Sequence, residues 1–143
     1  MILDQRSGWQ RWAITVVVAL VVGLGWFLTT DWSGDPDQEE RTDPVSGLAW
    51  VDVDDLPVEA HDTLELIDAG GPFPHDRDGI TFGNREGILP EARRGHYREY
   101  TVETPGLDHR GPRRIVTGGE DAGHPDEFYW TEDHYESFER IAR

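Results

Sequence analysis

The sequence contains no cysteine and no lysine. Without cysteine, the chain forms no disulfide and offers no thiolate to a metal ion. Without lysine, all 13 basic residues are arginines, and 29 aspartates and glutamates outnumber them to give a formal net charge of −16. Because a strongly acidic protein is repelled by nucleic acid, the overall charge argues against a generic nucleic-acid-binding protein.

Three common catalytic signatures are also missing: the His-Glu-x-x-His helix of zinc peptidases, the phosphate-binding loop and the Gly-x-Ser-x-Gly turn of serine hydrolases. Five scattered histidines show no spacing typical of metal ligands, namely His61, His75, His96, His109 and His124. We therefore predict no metal site and no cofactor.

Residues 12–28 form an uncharged and mostly apolar run, and as a helix these 17 residues span about 25 Å, slightly less than the hydrocarbon core of a bilayer. Arginines precede the run and acidic residues follow it, which predicts a cytoplasmic N-terminus at residues 1–11. We predict a transmembrane signal anchor at residues 12–30, which would hold the remaining chain on the outside of the cell membrane. A cleaved signal peptide, which would make the protein secreted, is the alternative, although Gly23-Leu24-Gly25 is a mediocre cleavage site.

Residues 31–45 are polar, acidic and proline-bearing, a composition that cannot bury enough apolar surface to fold, and we interpret them as a linker. The domain then occupies residues 46–143. Pro57 and Gly70 have the positions expected in the first turn and after the last turn of a helix. Strand-like segments follow at residues 80–82, 96–103, 113–117, 127–131 and 136–141. This order predicts an α+β domain, with one N-terminal helix packed on a short antiparallel sheet.

Positive charge is concentrated between Arg85 and Arg114, where seven arginines and five acidic residues give a local net charge of +2. Glu99 lies in this region, in a strand-like segment whose neighbouring Tyr100 and Val102 are natural core residues. Because side chains alternate along a strand, Glu99 is predicted on the opposite, open face. A single glutamate in that position is usually an ordinary solvated group.

Four short motifs occur in order in this part of the chain: Phe82-Gly83-Asn84-Arg85-Glu86, Tyr97-Arg98-Glu99-Tyr100, Arg110-Gly111-Pro112-Arg113-Arg114 and Asp133-His134-Tyr135. Over about residues 46–142 this set resembles the small secreted guanyl-specific ribonucleases of bacteria, the family that includes barnase, and in particular its actinobacterial members. The resemblance implies an α+β fold. It also implies metal-independent cleavage of single-stranded RNA 3′ to guanosine, through a 2′,3′-cyclic phosphate that is then hydrolysed.

The resemblance assigns catalytic roles to five residues. Glu99 is the general base for the ribose 2′-hydroxyl, and His134 is the general acid for the leaving 5′-oxygen. A histidine suits this task because its ordinary pKa is near 6.5, and a carboxylate facing the imidazole would raise that pKa. Arg110 and Arg114 bind the phosphoryl oxygens, and Tyr135 adds a hydroxyl.

The same resemblance predicts a guanine site at Phe82, Asn84, Arg85 and Glu86. The Glu86 carboxylate accepts the N1–H and N2–H donors of guanine, a donor pair that adenine lacks. Phe82 and the flat guanidinium of Arg85 sandwich the base. On the residues alone, a turn capped by Asn84 is the simpler interpretation of this motif.

The chain departs from the family pattern in three places. Gly83 replaces a larger polar residue, which predicts a looser base site or a change in loop rigidity. The loop Gly118–Pro125 is longer, so that a different approach to His134 is expected. The disulfide of close relatives is absent, which removes about 2–4 kcal/mol of stabilisation.

We expect a monomer whose partner is single-stranded RNA. The resemblance also implies a small acidic inhibitor of the barstar type, although a net charge of −16 is a poor electrostatic match for it. A catalytically silent binding module on the same fold, tethered to the membrane and binding a nucleotide, RNA or a protein, is the alternative function. The presence of both Glu99 and His134 argues against it.

Overall fold

A computed structural model describes residues 41–143, through which a single sheet of six strands runs. The elements in chain order are β1 (Trp50–Asp52), a 3₁₀ turn (Val53–Asp55), α1 (Val58–Ala69), β2 (Ile80–Thr81), β3 (Tyr97–Thr101), β4 (Arg114–Gly118), β5 (Glu127–Thr131) and β6 (Glu139–Ala142). Across the sheet the strand order is β1-β6-β5-β4-β3-β2.

The predicted N-terminal segment, transmembrane anchor and nearly all of the linker lie outside the described residues. Within residues 41–143, no helix has the length and apolar character needed to cross a membrane. The anchor at residues 12–30 therefore stays a prediction.

Helix α1 begins and ends where the sequence predicts. Pro57 is its N-cap, and Gly70 ends it in the left-handed conformation, with φ of 71°. Only glycine adopts that conformation without steric cost, which is why the helix stops there. Leu64 and Ile67 on its buried face pack against core residues of the sheet, and the Thr63 hydroxyl donates to the carbonyl of Thr101 at 3.1 Å.

The predicted antiparallel sheet is wrong in one respect. Strands β2 to β6 pair antiparallel with their neighbours, but β1 lies parallel to β6, with Val51 opposite Ile141. The sheet is therefore mixed. β1 has only three residues, and it is partly exposed along its length. Its sequence therefore shows too little alternation of apolar and polar residues to predict a strand or its distant partner.

The two faces of the sheet have different partners. One face packs against α1 through residues that include Tyr100, Ile115 and Trp130. The other carries a second apolar cluster, made of Leu89, Tyr97, Val116, Tyr129 and Phe138. Glu99 alternates with Tyr100 along β3 and so lies on this second face, as the sequence pattern predicts.

Candidate active site

An open cleft of about 1030 Å³ covers part of the second face of the sheet. Its wall includes seven of the nine predicted site residues: Phe82, Asn84, Arg85, Glu86, Glu99, His134 and Tyr135. Arg110 and Arg114 are not in the wall, although Arg110 lies 3.7 Å from Glu99 and Arg114 is close enough to Tyr135 to lower the pKa of its phenol. The structure thus brings residues as far apart in the chain as Phe82 and Tyr135 into one concave surface.

The Glu99 carboxylate lies at the floor of the cleft and is only 5% exposed. Its Oε1 atom lies 3.7 Å from Nη2 of Arg110 and 3.8 Å from Nε of Arg77. Its Oε2 atom accepts a hydrogen bond from the Tyr135 hydroxyl. A buried carboxylate between two guanidiniums and a phenol is arranged to accept a proton from a group bound in the cleft.

Arg77 is a member of the site that the sequence did not reveal. It follows the proline-rich turn before β2, and no pattern separates it from the acidic residues beside it. The antiparallel pairing of β2 with β3 sets Ile80 opposite Glu99, which carries the preceding residues to the same carboxylate. Arg77 is largely exposed and lines the cleft, so that its charge faces any bound anion.

Arg110 is held by the end of β3 and by the turn that precedes β2. Its Nε donates to the Thr101 hydroxyl at 2.8 Å, and its Nη2 lies 4.0 Å from the buried Asp78 carboxylate. Asp78 in turn accepts a hydrogen bond from the Thr101 amide at 2.7 Å. The carboxylates of Asp78 and Glu99 therefore both position the Arg110 guanidinium.

Arg114 is almost fully buried at the start of β4. Its Nη1 donates to the carbonyls of Gly111 and Arg113 at 2.9 and 2.6 Å. Within residues 41–143, Nε of Arg114 and Nη2 of Arg110 are buried without a hydrogen-bond acceptor. Burying an N–H without an acceptor is costly, and an anion brought close to Nε of Arg114 would reduce that cost, whereas Nη2 of Arg110 already lies within 4.0 Å of the Glu99 and Asp78 carboxylates.

His134 and Tyr135 have a left-handed backbone, with φ of 60° and 74°. Asp133 holds this turn together, because its carboxylate accepts from the Thr131 hydroxyl, the amides of Glu136 and Ser137, and the Ser137 hydroxyl at 2.6 Å. The Ser137 hydroxyl bond is the main reason why the pKa of Asp133 lies below its ordinary value. Since this carboxylate is fully engaged by the loop, it does not serve His134 as a facing partner.

The exposed His134 ring lies 4.7 Å from the ring of Tyr135, and Tyr135 lies 5.0 Å from Phe82. These contacts make an aromatic wall between the imidazole and the base loop. Burial and the hydrogen bond to Glu99 raise the pKa of Tyr135 to about 12. The phenol is therefore protonated and donates a hydrogen bond at any pH at which the protein would work.

Asn84 braces the predicted base loop rather than pointing a free amide into the cleft. Its Nδ2 donates to the Leu89 carbonyl at 2.8 Å, and its Oδ1 accepts from the Leu89 amide at 3.1 Å. Arg85 and Glu86 are exposed in the cleft wall. At Gly83, an added Cβ would make an ordinary contact of 3.8 Å with Cγ of Arg85, so the backbone does not require glycine there.

The loop Gly118–Pro125, which is expected from the sequence to be longer than in relatives, lies beside the cleft wall. Its Glu120 carboxylate binds Arg93, with Nη2 to Oε2 at 2.8 Å, and its carbonyl accepts from the same guanidinium at 3.3 Å. Through Arg93, which lines the cleft, this loop supports part of the wall. Within residues 41–143, no group of three or more His, Cys, Asp or Glu side chains could hold a metal ion.

Comparison with known proteins gives consistent matches. The profile of the ribonuclease family matches residues 39–142. Guanyl-specific ribonuclease St from Saccharopolyspora erythraea is 57% identical over 94 residues, which cover 66% of this chain and 88% of the relative. Guanyl-specific ribonuclease Sa from Kitasatospora aureofaciens is 54% identical over 97 residues, covering 68% of this chain and 95% of the relative.

Solved structures of ribonuclease Sa2 have the same fold. A complex with mononucleotides superposes with a TM-score of 0.62 at 48% identity, over 71% of this chain and 98% of that one. A second structure, with guanosine-2′-cyclophosphate, has a TM-score of 0.60 at 50% identity, over 66% of this chain and 96% of that one.

Proposed function

This chain belongs to the ribonuclease family, and we propose that it is a guanyl-specific endoribonuclease. It cleaves single-stranded RNA on the 3′ side of guanosine and leaves a 2′,3′-cyclic phosphate, which it then hydrolyses. The observation that carries the proposal is the buried Glu99 carboxylate, set between Arg77, Arg110 and Tyr135 on the floor of a cleft that also contains His134.

In the first step Glu99 takes the proton of the ribose 2′-hydroxyl, and the 2′-oxygen attacks the adjacent phosphorus. The bond from phosphorus to the 5′-oxygen breaks, and His134 donates a proton to that leaving oxygen. In the second step His134 takes a proton from water, and the water oxygen attacks the phosphorus of the cyclic phosphate. The bond from phosphorus to the 2′-oxygen breaks, and Glu99 returns its proton to that leaving oxygen, which leaves a 3′-phosphate. The exposure of His134 gives both the leaving group and water access to the imidazole.

Negative charge grows on the phosphoryl oxygens during both steps. Arg110 and Arg114 lie next to Glu99 and Tyr135, and each has a guanidinium nitrogen without a hydrogen-bond acceptor within the described residues. We assign these two cations and the Tyr135 hydroxyl to the stabilisation of that charge. Arg77, on the cleft side of Glu99, adds a third guanidinium.

Guanine selection is assigned to the loop that starts at Phe82. The Glu86 carboxylate makes no hydrogen bond with any of residues 41–143, which leaves both oxygens available for the N1–H and N2–H donors of guanine. Phe82 and Arg85 flank the base, and Asn84 fixes the loop through Leu89. Adenine lacks the donor pair and would leave this carboxylate unpaired.

The direct test incubates the full-length protein, in the presence of EDTA, with a single-stranded RNA that contains all four bases. Product ends are identified by mass, and the double variant Glu99→Gln, His134→Ala is the control. Cuts after guanosine that bear a cyclic phosphate, absent with the variant, support the proposal. A folded wild-type protein that binds guanosine monophosphate without cutting RNA would refute the enzyme and support the silent binding module instead.

We also propose that residues 12–30 anchor the enzyme in the cell membrane with its catalytic domain outside. The uncharged run and the arginines before it support this, and a secreted enzyme is the alternative. Sodium carbonate extraction of membranes, with sequencing of the mature N-terminus, separates the two. The predicted acidic inhibitor would have to overcome repulsion by a net charge of −16, and co-purification from the periplasm or cytoplasm tests it.

A further inference from the structure

The cleft extends beyond the groups that the proposed reaction uses. At about 1030 Å³ it is at the upper end of pockets that hold a drug-sized ligand, which span roughly 300–1,000 Å³. Past the base loop and Glu99, its wall continues along residues 89–94, where Glu91, Arg93 and Arg94 line it. None of these three residues is assigned to guanine or to the scissile phosphate, so this part of the cleft is available for another portion of the RNA.

The segment that forms this wall has a defined position. Leu89 is bound through both of its backbone groups by Asn84, and the Pro90 carbonyl accepts from the Tyr97 hydroxyl at 2.9 Å. Arg93 is bound by Glu120, and its carbonyl accepts from the His96 amide at 3.1 Å. Side chains on a braced segment lose less freedom when a ligand binds than those on a mobile one.

Arg94 is the arginine of this wall that has no partner among residues 41–143. Its side chain is exposed and lines the cleft, and it makes no hydrogen bond or ion pair with any of residues 41–143. Glu91 lies on the same wall without pairing with it, and Arg93 is neutralised by Glu120. In a chain with 29 acidic residues, an unpaired guanidinium at a cleft is available for an external anion, and its fork geometry fits phosphate.

The sheet indicates which side of the RNA reaches Arg94. Arg114 lies opposite Thr101 at one end of the β3–β4 pair, and Tyr97 lies opposite Gly118 at the other end. The scissile phosphate, on the 3′ side of guanosine, belongs at the Arg114 end, with Glu99 between. The nucleotides on the 5′ side of guanosine would then lie at the Tyr97 end, where the Tyr97 hydroxyl binds Pro90 of the wall that carries Arg94.

We propose that Arg94 binds the phosphate on the 5′ side of the selected guanosine, which makes the enzyme prefer RNA chains to a dinucleotide. The proposal rests on the function proposed above. It concerns substrate length and not base identity, because a phosphate contact carries no base information.

Two substrates that differ only upstream test the contact, namely GpU and UpUpGpU. For Arg94→Gln we expect kcat/KM on UpUpGpU to fall about two- to fivefold, as for one exposed ion pair, and kcat/KM on GpU to stay unchanged. Arg41→Gln is the control, because Arg41 is an exposed arginine outside the cleft and its loss changes the net charge equally. Equal effects on both substrates, no effect on UpUpGpU, or the same effect from Arg41→Gln would each overturn the proposal.

A binding measurement decides the same point without catalysis. UpUpGpU with 2′-deoxyguanosine lacks the attacking hydroxyl and is not cleaved, so its Kd can be measured by fluorescence anisotropy. Arg94→Gln should weaken binding about two- to fivefold and lower the slope of log Kd against log salt concentration by about 0.7, the value for one phosphate contact on a single strand. An unchanged Kd and slope would overturn the contact, whereas wild-type protein that binds but cleaves neither substrate would refute only the proposed activity.

Discussion

Asp133 is the residue on which we expect the positions of His134 and Tyr135 to depend. The left-handed backbone of these two residues costs roughly 1–2 kcal/mol for each. The Asp133 carboxylate accepts four hydrogen bonds within the same turn. Hydrogen bonds to a charged group contribute about 1.5–3 kcal/mol each, toward the lower value in a partly exposed turn such as this one. Together they exceed the backbone cost, so the carboxylate decides the conformation.

Asp133→Ala removes all four acceptor contacts and should lower the free energy of unfolding by about 2–4 kcal/mol. The turn then relaxes toward ordinary backbone angles, His134 moves away from the leaving oxygen, and kcat should fall about ten- to a hundredfold. Urea denaturation and GpU cleavage measure the two effects. Glu136→Ala is the matched control, because it removes an exposed carboxylate from the same turn.

The pH dependence gives a second measure of the same interaction. The pKa of Asp133 lies below its ordinary value of 3.8, chiefly because of the Ser137 hydroxyl bond. A lowered folded-state pKa means that the stabilisation is complete above the pKa of the unfolded chain and is lost as pH falls through the folded pKa. The stability difference between wild type and Asp133→Asn should therefore be constant from neutral pH to about pH 5 and shrink below about pH 4. An Asp133→Ala protein within about 0.5 kcal/mol of wild type, with unchanged kcat, would refute the reasoning.

Three further results are expected. Arg77→Gln should lower kcat/KM on GpU about two- to fivefold, as expected for an exposed charge near Glu99, and an unchanged value would exclude Arg77 from the site. Glu86→Gln should lower the ratio of kcat/KM for GpU to that for ApU about ten- to a hundredfold, since one base-reading pair contributes about 1–3 kcal/mol; a constant ratio would remove Glu86 from base selection. Burial raises the pKa of all four tyrosines, so phenolate absorbance at pH 10 should stay low in the folded protein and rise on alkaline unfolding. Because the folded protein favours the neutral phenols, their contribution to the free energy of unfolding is fully present below about pH 10 and decreases as the pH rises further. Titration of the phenols near pH 10 in the folded protein would contradict the raised pKa values of Tyr97, Tyr100, Tyr129 and Tyr135.

Local signals in the sequence determine helix α1 and the face of the sheet on which Glu99 lies. Pro57 and Gly70 act within one turn of the helix ends, and the alternation around Glu99 acts within one strand. Such signals need no distant partner, which is why they can be read directly from the chain. The order of the four motifs likewise follows from the sequence, and the family profile covers all of them.

Tertiary structure alone decides which distant residues meet. β1 lies beside β6 because residues 50–52 pair with residues 140–142. The sequence of a three-residue strand is too short to predict which distant strand it pairs with. Arg77 reaches Glu99 through the register between β2 and β3. Asp133 binds its own turn because the turn brings the amides of Glu136 and Ser137 to its carboxylate. Each of these contacts depends on strand register or turn geometry, which is settled when the whole sheet packs and not by neighbouring residues.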